Sequence, residues 1–483
     1  MPSLRKFPVH IIVLLLLFIA QGALFAILFP AYQGPDEQIH YGTIQYQAEP
    51  KEKDWPLQEP TQIQLFGDVR TYKLSEETIQ SAYLLQFDDL RWQKENTEYF
   101  SQTSTGIHEQ AIAQNEWKRY IDTTSHNASG TKSFYYEVGG WIEKTLSSTS
   151  FFTRFLSQRL LSVFLGALVV LFTYLVAKKA GLSLFESILI ATLIAFQPMF
   201  VFLSSVVNID VALILSFTIF TYATIWLLKD GPKILPLSVL LFATLLGLYS
   251  KGPGIVLAVT AVLLIVFFVV QYWRKKDERF FWKLFIGVTT LIIIAFVVTP
   301  KSYIASITHL TTSSKFSSPA ESLVAYGKET LDKSAFMRTH TSYWGYFGWL
   351  DTKISNTVLT FIWDIQAIAL LGLILFLITK TPPEYLPKKR FVVFFIIIIL
   401  LLQLAIRFFD WRVFDATRQI LIGTPGRYFL PTLVPHILLI ITGLGFFTKN
   451  KHQFHILLKA LTLGMILLLL YAVINVIIPR YYL

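Results

Sequence analysis

The chain has 483 residues, of which 54% are hydrophobic and only 15% are charged, and its formal net charge is +11. A soluble domain usually carries about a quarter charged residues, so this composition excludes a cytosolic globular enzyme, a disordered chain and a fibrous protein and is typical of a polytopic membrane protein. The absence of cysteine excludes disulfides, Fe–S clusters, thiolate zinc sites and cysteine nucleophiles.

Apolar runs along the chain predict about eleven membrane-spanning helices. A helix rises about 1.5 Å per residue, so roughly 20 apolar residues cross the hydrocarbon core. The first run is longer than a signal-peptide core, which favours an uncleaved helix. The fifth run is short and ends at a Gly-Pro-Gly turn, so it forms either a full span or part of a tight hairpin. The runs lie near 8–30, 155–177, 184–206, 209–228, 234–250, 254–273, 284–300, 357–379, 391–407, 429–447 and 455–478.

Basic residues set the orientation of these helices. With the N-terminus inside, the inner loops carry 17 Lys and Arg and the short outer segments carry 6. This bias predicts a cytoplasmic N-terminus and an outer C-terminus. The absence of cysteine and the richness in Ile, Phe and Lys fit a bacterial plasma membrane.

Two large segments, 31–152 and 301–356, then face outward. The first holds 10 Lys and Arg against 18 Asp and Glu, although the whole chain is basic. This asymmetry fits the two sides of a membrane rather than a nucleic-acid binder. Helix-like stretches at 76–86 and 109–120 predict a mainly helical subdomain. The predicted organisation is therefore a first helix (1–30), an outer subdomain (31–152), helices two to seven (153–300), a second outer segment (301–356) and helices eight to eleven (357–483).

The clearest functional signal follows the first helix directly, in residues 34–40 (Gly-Pro-Asp-Glu-Gln-Ile-His). Gly-Pro ends the helix and turns the chain. On a short helix Asp36, Glu37 and His40 would point to one region, because residues three and four apart are neighbours. Two carboxylates and an imidazole suit general-base catalysis or binding of a divalent cation such as Mg²⁺ or Mn²⁺. Helix capping by Asp36 explains the same pattern equally well.

Asn208 and Asp210 lie in the predicted outer loop between the third and fourth runs. Asp210 brings another carboxylate to the same membrane face, as a candidate substrate-binding group or metal ligand. Taken alone, it is better explained as a cap of the fourth helix.

Several outer cations run against the charge bias. Lys251 precedes the Gly-Pro-Gly turn, and four arginines surround one short outer loop. Because Arg and Lys both bind phosphate, Lys251 and Arg427 are candidate phosphate ligands, and Tyr428, which follows Arg427, is a further candidate binding residue. Pairing with acidic neighbours or snorkelling to lipid headgroups explains the same residues. The four arginines are Arg407, Arg412, Arg418 and Arg427.

Aromatic and glycine residues alternate in 342–351 (Ser-Tyr-Trp-Gly-Tyr-Phe-Gly-Trp-Leu-Asp). Tyr343 and Trp344 are candidates for lining a sugar or lipid groove, and an interfacial aromatic belt is the alternative. Asp364 and His436 lie at matched depth in two predicted spans, where mutual pairing is the favoured interpretation. The scarcity of such groups argues against an ion-coupled transporter.

The chain resembles the GT-C class of integral-membrane glycosyltransferases, which take sugars from polyprenyl-phosphate carriers. In that class an acidic motif follows the first helix, as Asp36 and Glu37 do here. More closely, it resembles, from the first helix to the tenth, a bacterial polytopic membrane-protein family with an outer Pro-Asp-Glu-x-x-His motif. It departs from that family at Gln38 and Ile209, where proline is frequent. The motifs that carry the resemblance are 35–40, 208–210, 343–351 and 426–431.

The resemblance implies a GT-C-like all-α fold and a reaction at the outer face. The donor would be a sugar on undecaprenyl phosphate, since nucleotide sugars are absent outside the cell, and the acceptor an envelope glycan, lipid or protein. Asp36 would act as general base in an inverting displacement, and Glu37 or His40 would orient it or bind a cation. Lys251 and Arg427 would stabilise the departing phosphate.

Two other functions remain open at this stage. A transporter or flippase of a lipid-linked glycan fits eleven spans, although the large outer subdomain disfavours it. A non-catalytic envelope scaffold predicts that Asp36, Glu37 and His40 tolerate mutation. No Walker loop or dinucleotide-binding glycine motif is present in the sequence, which argues against a nucleotide-dependent pump.

Overall fold

The computed structural model describes residues 8–48, 75–85, 87–90, 112, 133–274, 315–330, 333–420 and 425–483. These residues are almost entirely helical, which confirms the all-α polytopic membrane fold. Within them, β1 (Tyr346–Phe347) and β2 (Thr352–Lys353) form a short antiparallel hairpin. The α-helices are α1 (Val9–Leu28), α2 (Glu37–Ala48), α3 (Glu76–Leu84), α4 (Phe87–Leu90), α5 (Phe134–Thr145), α6 (Phe151–Ala180), α7 (Leu184–Ala195), α8 (Pro198–Leu203), α9 (Asp210–Asp230), α10 (Ile234–Leu248), α11 (Ile255–Arg274), α12 (Pro319–Thr330), α13 (Lys333–Trp344), α14 (Asn356–Ile378), α15 (Lys389–Thr417), α16 (Leu433–Phe446), α17 (Lys451–Ala472) and α18 (Ile478–Tyr481).

Eight helical segments in the described part of the chain are long and apolar enough to cross a membrane. Each coincides with one of the predicted runs, and their outward faces carry large apolar side chains such as Leu16 and Phe361, as lipid contact requires. The eight segments are Val9–Leu28, Phe151–Ala180, Asp210–Asp230, Gly252–Gln271, Asn356–Ile378, Lys389–Thr417, Gly426–Phe446 and Lys451–Tyr481.

The third predicted run is not a single helix. It is divided into α7 and α8, because Pro198 lacks the N–H that a continuous helix needs and its ring clashes with the preceding turn. Gln197 caps α8 by accepting a hydrogen bond from the Phe200 N–H at 2.5 Å. The fifth run forms the short helix α10, which turns tightly into α11. The seventh run, 284–300, lies outside the described residues.

Helices α6 and α9 form the centre of the bundle, and α9 is buried along most of its length. Helix α1 ends, and α6 and α9 begin, at one end of the bundle, which we call the site end. Short 3₁₀ helices at Gly252–Gly254 and Gly426–Thr432 precede α11 and α16 at that end.

Helices α2, α3 and α5 of the first large segment are tied to α6 by one buried arginine. The fully buried Arg154 forms ion pairs with Glu77 of α3 and Glu143 of α5. Its guanidinium also donates to the hydroxyl of Tyr41 on α2 at 3.1 Å. The predicted helix at 76–86 is confirmed as α3, whereas the one at 109–120 lies outside the described residues apart from residue 112.

The absence of cysteine allows a direct test of orientation. Ser148 lies in the exposed turn before α6, and Lys449 lies in the exposed turn before α17. We expect Ser148→Cys to react with a membrane-impermeant maleimide in intact cells and Lys449→Cys to react only after permeabilisation, because basic loops stay inside. The reverse labelling pattern would place the site end in the cytoplasm.

Candidate active site

The acidic motif occupies a strained turn between α1 and α2. Asp36 has a φ of 58°, in the left-handed region, which few residues other than glycine adopt although Asp tolerates it. Its carbonyl oxygen accepts the His40 N–H at 3.0 Å and so starts α2. Gly34 packs directly on Val206, where a Cβ would collide. The turn is therefore shaped by its neighbours as well as by its own sequence.

A buried ion pair holds this turn from behind. The guanidinium of Arg159 on α6 contacts both carboxylate oxygens of Glu37 at 2.8 Å, and both side chains are almost fully buried. The same guanidinium donates to the carbonyl oxygens of Ala26 and Phe29 at 2.6 Å and of Pro30 at 2.9 Å. Arg159 thereby satisfies carbonyls at the C-terminal end of α1, which a helix leaves without partners.

Glu37 extends this ion pair to a second loop. Its carboxylate accepts the N–H of Gly34 at 3.1 Å and the N–H of Val207, just before α9, at 2.8 Å. One carboxylate thus fastens the acidic turn, the end of α1 and the α8–α9 loop to Arg159. Glu37 faces away from the solvent-accessible side chain of Asp36, since it is 0% exposed and Asp36 is 42% exposed.

Two ion pairs lie in front of this anchor. The guanidinium of Arg427 contacts the carboxylate of Asp36 at 3.0 Å, and the ammonium of Lys251 contacts that of Asp210 at 2.5 Å. The Tyr428 ring lies next to both cations, 5.2 Å from the Arg427 guanidinium carbon and 5.0 Å from the Lys251 nitrogen. The five residues come from four separate parts of the chain and form one cluster at the site end.

Hydrogen bonds between segments position the two cations. Ser133 and Phe134, at the start of α5, bond to the carbonyl oxygens of Ser250 and Tyr249 directly before Lys251. Arg427 follows Gly426, whose N–H donates to the hydroxyl oxygen of Ser342 in α13 at 2.6 Å. The close approach of Gly426 to the backbone of α13 leaves no space for a Cβ.

Arg427 retains unused hydrogen-bonding capacity. Its side chain is only 9% exposed, and its Nε and Nη1 groups have no hydrogen-bond partner among the described residues. Buried guanidinium N–H groups without partners are costly, and they match the oxygens of a phosphate in geometry and charge. No sequence pattern marks these two donors, because they depend on how α13 and the 3₁₀ turn pack.

The ionisation states of Asp36, His40 and Lys251 at the site end follow from their burial and from the charges of their neighbours. Burial opposes ionisation of Asp36, but neighbouring Arg427 outweighs it and holds the pKa of this carboxyl below its usual range. Burial lowers the pKa of His40 to about 4, so the ring is neutral at pH 7 and hydrogen-bonds Tyr136 through Nδ1 at 2.7 Å. Burial disfavours the charged form of Lys251, yet Asp210 raises its pKa above the usual value. At neutral pH the cluster therefore holds two carboxylates and two cations.

A family model described as "Predicted membrane protein (DUF2142)" matches residues 17–435. The chain belongs to this DUF2142 family. The matched range includes the acidic motif, the α8–α9 loop and both cations of the cluster. No curated protein matches the chain in sequence.

Among solved structures, this DUF2142 chain is similar to a crystal structure of the Archaeoglobus fulgidus oligosaccharyltransferase tethered to an acceptor peptide with an NVT sequon. The identity is 11% and the TM-score is 0.44, over 99% of this chain and 56% of that one. The chain thus spans little more than half the length of that protein. Similarity at this level does not assign a shared function.

The predicted site residues of the DUF2142 chain fall into two groups. Asp36, Asp210, Lys251, Arg427 and Tyr428 come together in the cluster described above. The remaining residues bond to or pack against other parts of the protein, and one of them, His40, also lies within electrostatic range of the four charged groups of the cluster.

Asn208, Tyr343 and Trp344 belong to the second group. The Asn208 side chain accepts the Asp210 N–H at 2.6 Å, in an Asx turn directly before α9. The Tyr343 hydroxyl bonds to His436 at 2.8 Å, and the Trp344 ring packs against the same imidazole. His436 also contacts Gln366 at 3.3 Å. The expected pairing of His436 with Asp364 is therefore wrong, because Asp364 lies exposed on α14.

The expected divalent-cation ligands were Asp36, Glu37, His40 and Asp210. In the described part of the chain, no three His, Asp or Glu side chains lie close enough together to hold a metal ion. Each of the three carboxylates instead has a Lys or Arg partner. As placed, this donor set does not fit a metal, because the ion would have to displace a cation already present.

Removing one partner of the Arg159–Glu37 pair should destabilise the protein strongly. Breaking a buried ion pair costs about 3–5 kcal/mol because it leaves an unpaired buried charge. We expect Arg159→Met to lower the thermal unfolding midpoint of the purified protein strongly. Lys179→Met is the matched control, since the Lys179–Asp230 pair is partly exposed and worth about 1 kcal/mol or less. Equal shifts in the two variants would contradict the anchoring role of Arg159.

Proposed function

We propose that this protein is a membrane glycosyltransferase that moves a sugar from a polyprenyl-phosphate carrier to a cell-envelope acceptor. The reaction would take place at the outer face of a bacterial plasma membrane. The observation that carries the proposal is the contact between Asp36 and Arg427. The buried Nε and Nη1 groups of Arg427 have no hydrogen-bond partner among the described residues and are therefore available to a phosphate. A base for the acceptor hydroxyl and a cationic group for the carrier phosphate are the two elements that this transfer needs.

The chemistry is a displacement at the anomeric carbon of the donor sugar. The acceptor hydroxyl oxygen forms the new bond to that carbon, and its proton passes to the Asp36 carboxylate. The bond from carbon to the phosphate oxygen breaks, and polyprenyl phosphate leaves with the electron pair. Attack from the side opposite the leaving group inverts the configuration.

Arg427 and Lys251 stabilise the negative charge that develops on the leaving phosphate. Both cations lie next to the Tyr428 ring and within electrostatic range of each other, which is the arrangement that a phosphate shared between them requires. Electrostatic stabilisation by groups fixed before the reaction is usually the largest catalytic contribution. The positive charge that a divalent cation would bring is supplied here by these two side chains.

Glu37 and His40 support Asp36 in different ways. Glu37 positions the turn through Arg159 and has no role in proton transfer, because it is fully buried in its ion pair. His40 is neutral and its ring is fixed by Tyr136, which suits it to orient the acceptor hydroxyl. Asn208 acts indirectly by accepting the Asp210 N–H, and the Tyr343 backbone packs against Gly426, directly before Arg427. The Trp344 ring packs against His436.

A transporter of a lipid-linked glycan is the second candidate function. It would use the same cations to hold the carrier phosphate, but it would not require a base. Transfer of labelled sugar to a new acceptor supports the enzyme, whereas transbilayer movement of an unchanged lipid supports the transporter.

Loss of the base should abolish transfer without unfolding the protein. General-base catalysis contributes about 10²–10⁴-fold. We expect Asp36→Asn to lower kcat by that factor in an assay with purified protein and undecaprenyl-phosphate-linked sugar, with an unchanged thermal midpoint. Glu329→Gln removes an exposed carboxylate on α12, outside the cluster, and serves as the control that keeps its activity. Wild-type turnover in Asp36→Asn would exclude Asp36 as the base.

Loss of Arg427 should act on the donor. Hydrogen bonds to a charged group are worth about 1.5–3 kcal/mol, so Arg427→Gln should raise the KM for the lipid-linked donor about ten- to hundredfold. The KM for the acceptor should change little. Arg412→Gln on α15 is the matched control, because Arg412 pairs with Asp415 outside the cluster. An unchanged donor KM in Arg427→Gln would contradict the phosphate role.

A further inference from the structure

The structure shows Asp36 paired with Arg427, and this contact has to open before the proposed transfer can take place. In an inverting displacement the base acts on one side of the sugar carbon and the leaving phosphate departs on the other. Here the Asp36 carboxylate touches Arg427, the cation assigned to the phosphate, at 3.0 Å. A sugar ring cannot fit between two groups in direct contact, so Asp36 must leave Arg427 before transfer.

The structure indicates which partner of this ion pair can move. The Asp36 side chain is 42% exposed, whereas that of Arg427 is 9% exposed. The chain on both sides of Asp36 is fixed, because Gly34 packs on Val206 and Glu37 is held by Arg159. Movement is therefore confined to the side chain of Asp36, and Arg427 stays in place.

The second ion pair differs from the first in this respect. Asp210 is only 5% exposed and begins α9, where a carboxylate is favoured by the helix dipole. Its partner Lys251 is 32% exposed and carries a flexible side chain, so it can turn toward a ligand while Asp210 remains buried. Asp36 is thus the accessible carboxylate that occupies a phosphate-binding cation.

We infer that Asp36 is the resident counterion of Arg427 and that the phosphate of an incoming carrier lipid displaces it. This inference rests on the proposed function and adds an order of events. The donor phosphate competes with Asp36 for Arg427, and the carboxylate becomes free for the acceptor only once the phosphate is bound. In the absence of donor, the Asp36 carboxylate stays paired with Arg427 and cannot accept the proton of an acceptor hydroxyl, so an acceptor alone is not activated.

Competition between Asp36 and the phosphate affects the affinity for the carrier lipid, which a role of Asp36 as base alone would not. Removing the charge of Asp36 removes the competitor, so the variant that loses transfer should bind the carrier more tightly. The Asp36 side chain of this ion pair is partly exposed to solvent, and ion pairs with an exposed partner contribute little free energy. We therefore expect the Kd for undecaprenyl phosphate to fall about fivefold in Asp36→Asn.

The test measures equilibrium binding of undecaprenyl phosphate to the full-length protein in nanodiscs, with undecaprenol as the probe that lacks phosphate. Four proteins in addition to the wild type are compared: Asp36→Asn, Glu329→Gln, Arg427→Gln and the double variant Asp36→Asn with Arg427→Gln. Glu329→Gln controls for the general effect of removing one negative charge, because Glu329 is an exposed residue of α12 outside the cluster. The double variant asks whether the gain depends on Arg427, because contacting residues give non-additive effects.

The expected result is tighter binding in Asp36→Asn, little change in Glu329→Gln, and no gain from Asp36→Asn when Arg427 is absent. Equal or weaker binding in Asp36→Asn, with phosphate-dependent binding by the wild type, would overturn the competition but leave the proposed function standing. A gain that persists without Arg427 would also overturn it. If neither the wild type nor Asp36→Asn distinguishes undecaprenyl phosphate from undecaprenol, both the competition and the proposed function fail.

Discussion

The ion pair between Arg159 and Glu37 is the constraint on which the candidate site depends. It joins the end of α1 and the acidic turn to the loop before α9, which lies 170 positions further along the chain. A buried pair is costly to form in an apolar environment, and here every N–H of the guanidinium is directed at an oxygen that needs a partner. Its main effect is therefore to fix the backbone position of Asp36.

The cluster in front of this anchor is electrically balanced. Two carboxylates face two cations, and His40 is neutral at pH 7 because burial lowers its pKa to about 4. A balanced cluster is stable in the absence of ligand, and one added phosphate needs only the release of a single carboxylate. Arg427 is held by burial, whereas the Asp36 side chain is accessible. In the inferred order of events, the Arg427 guanidinium therefore binds the Asp36 carboxylate first and the phosphate of the carrier lipid afterwards.

Local sequence signals predicted much of this arrangement. Length and hydropathy identified the eight spans, but they also predicted one continuous helix at 184–206, where Pro198 separates α7 from α8. The resemblance singled out Asp36 and Arg427, which the structure places in contact. The partner of Glu37 could not be predicted, because Arg159 lies 122 positions away and no periodicity links the two. The unused donors of Arg427 likewise arise only from packing between distant segments.

An experimental structure of the protein with undecaprenyl-phosphate-linked sugar would test the central claim most directly. The interpretation predicts phosphate density against the guanidinium of Arg427 and the ammonium of Lys251, with the sugar at the site end and the Asp36 carboxylate turned away from Arg427. A lipid phosphate bound elsewhere, with the Asp36–Arg427 contact intact, would contradict it.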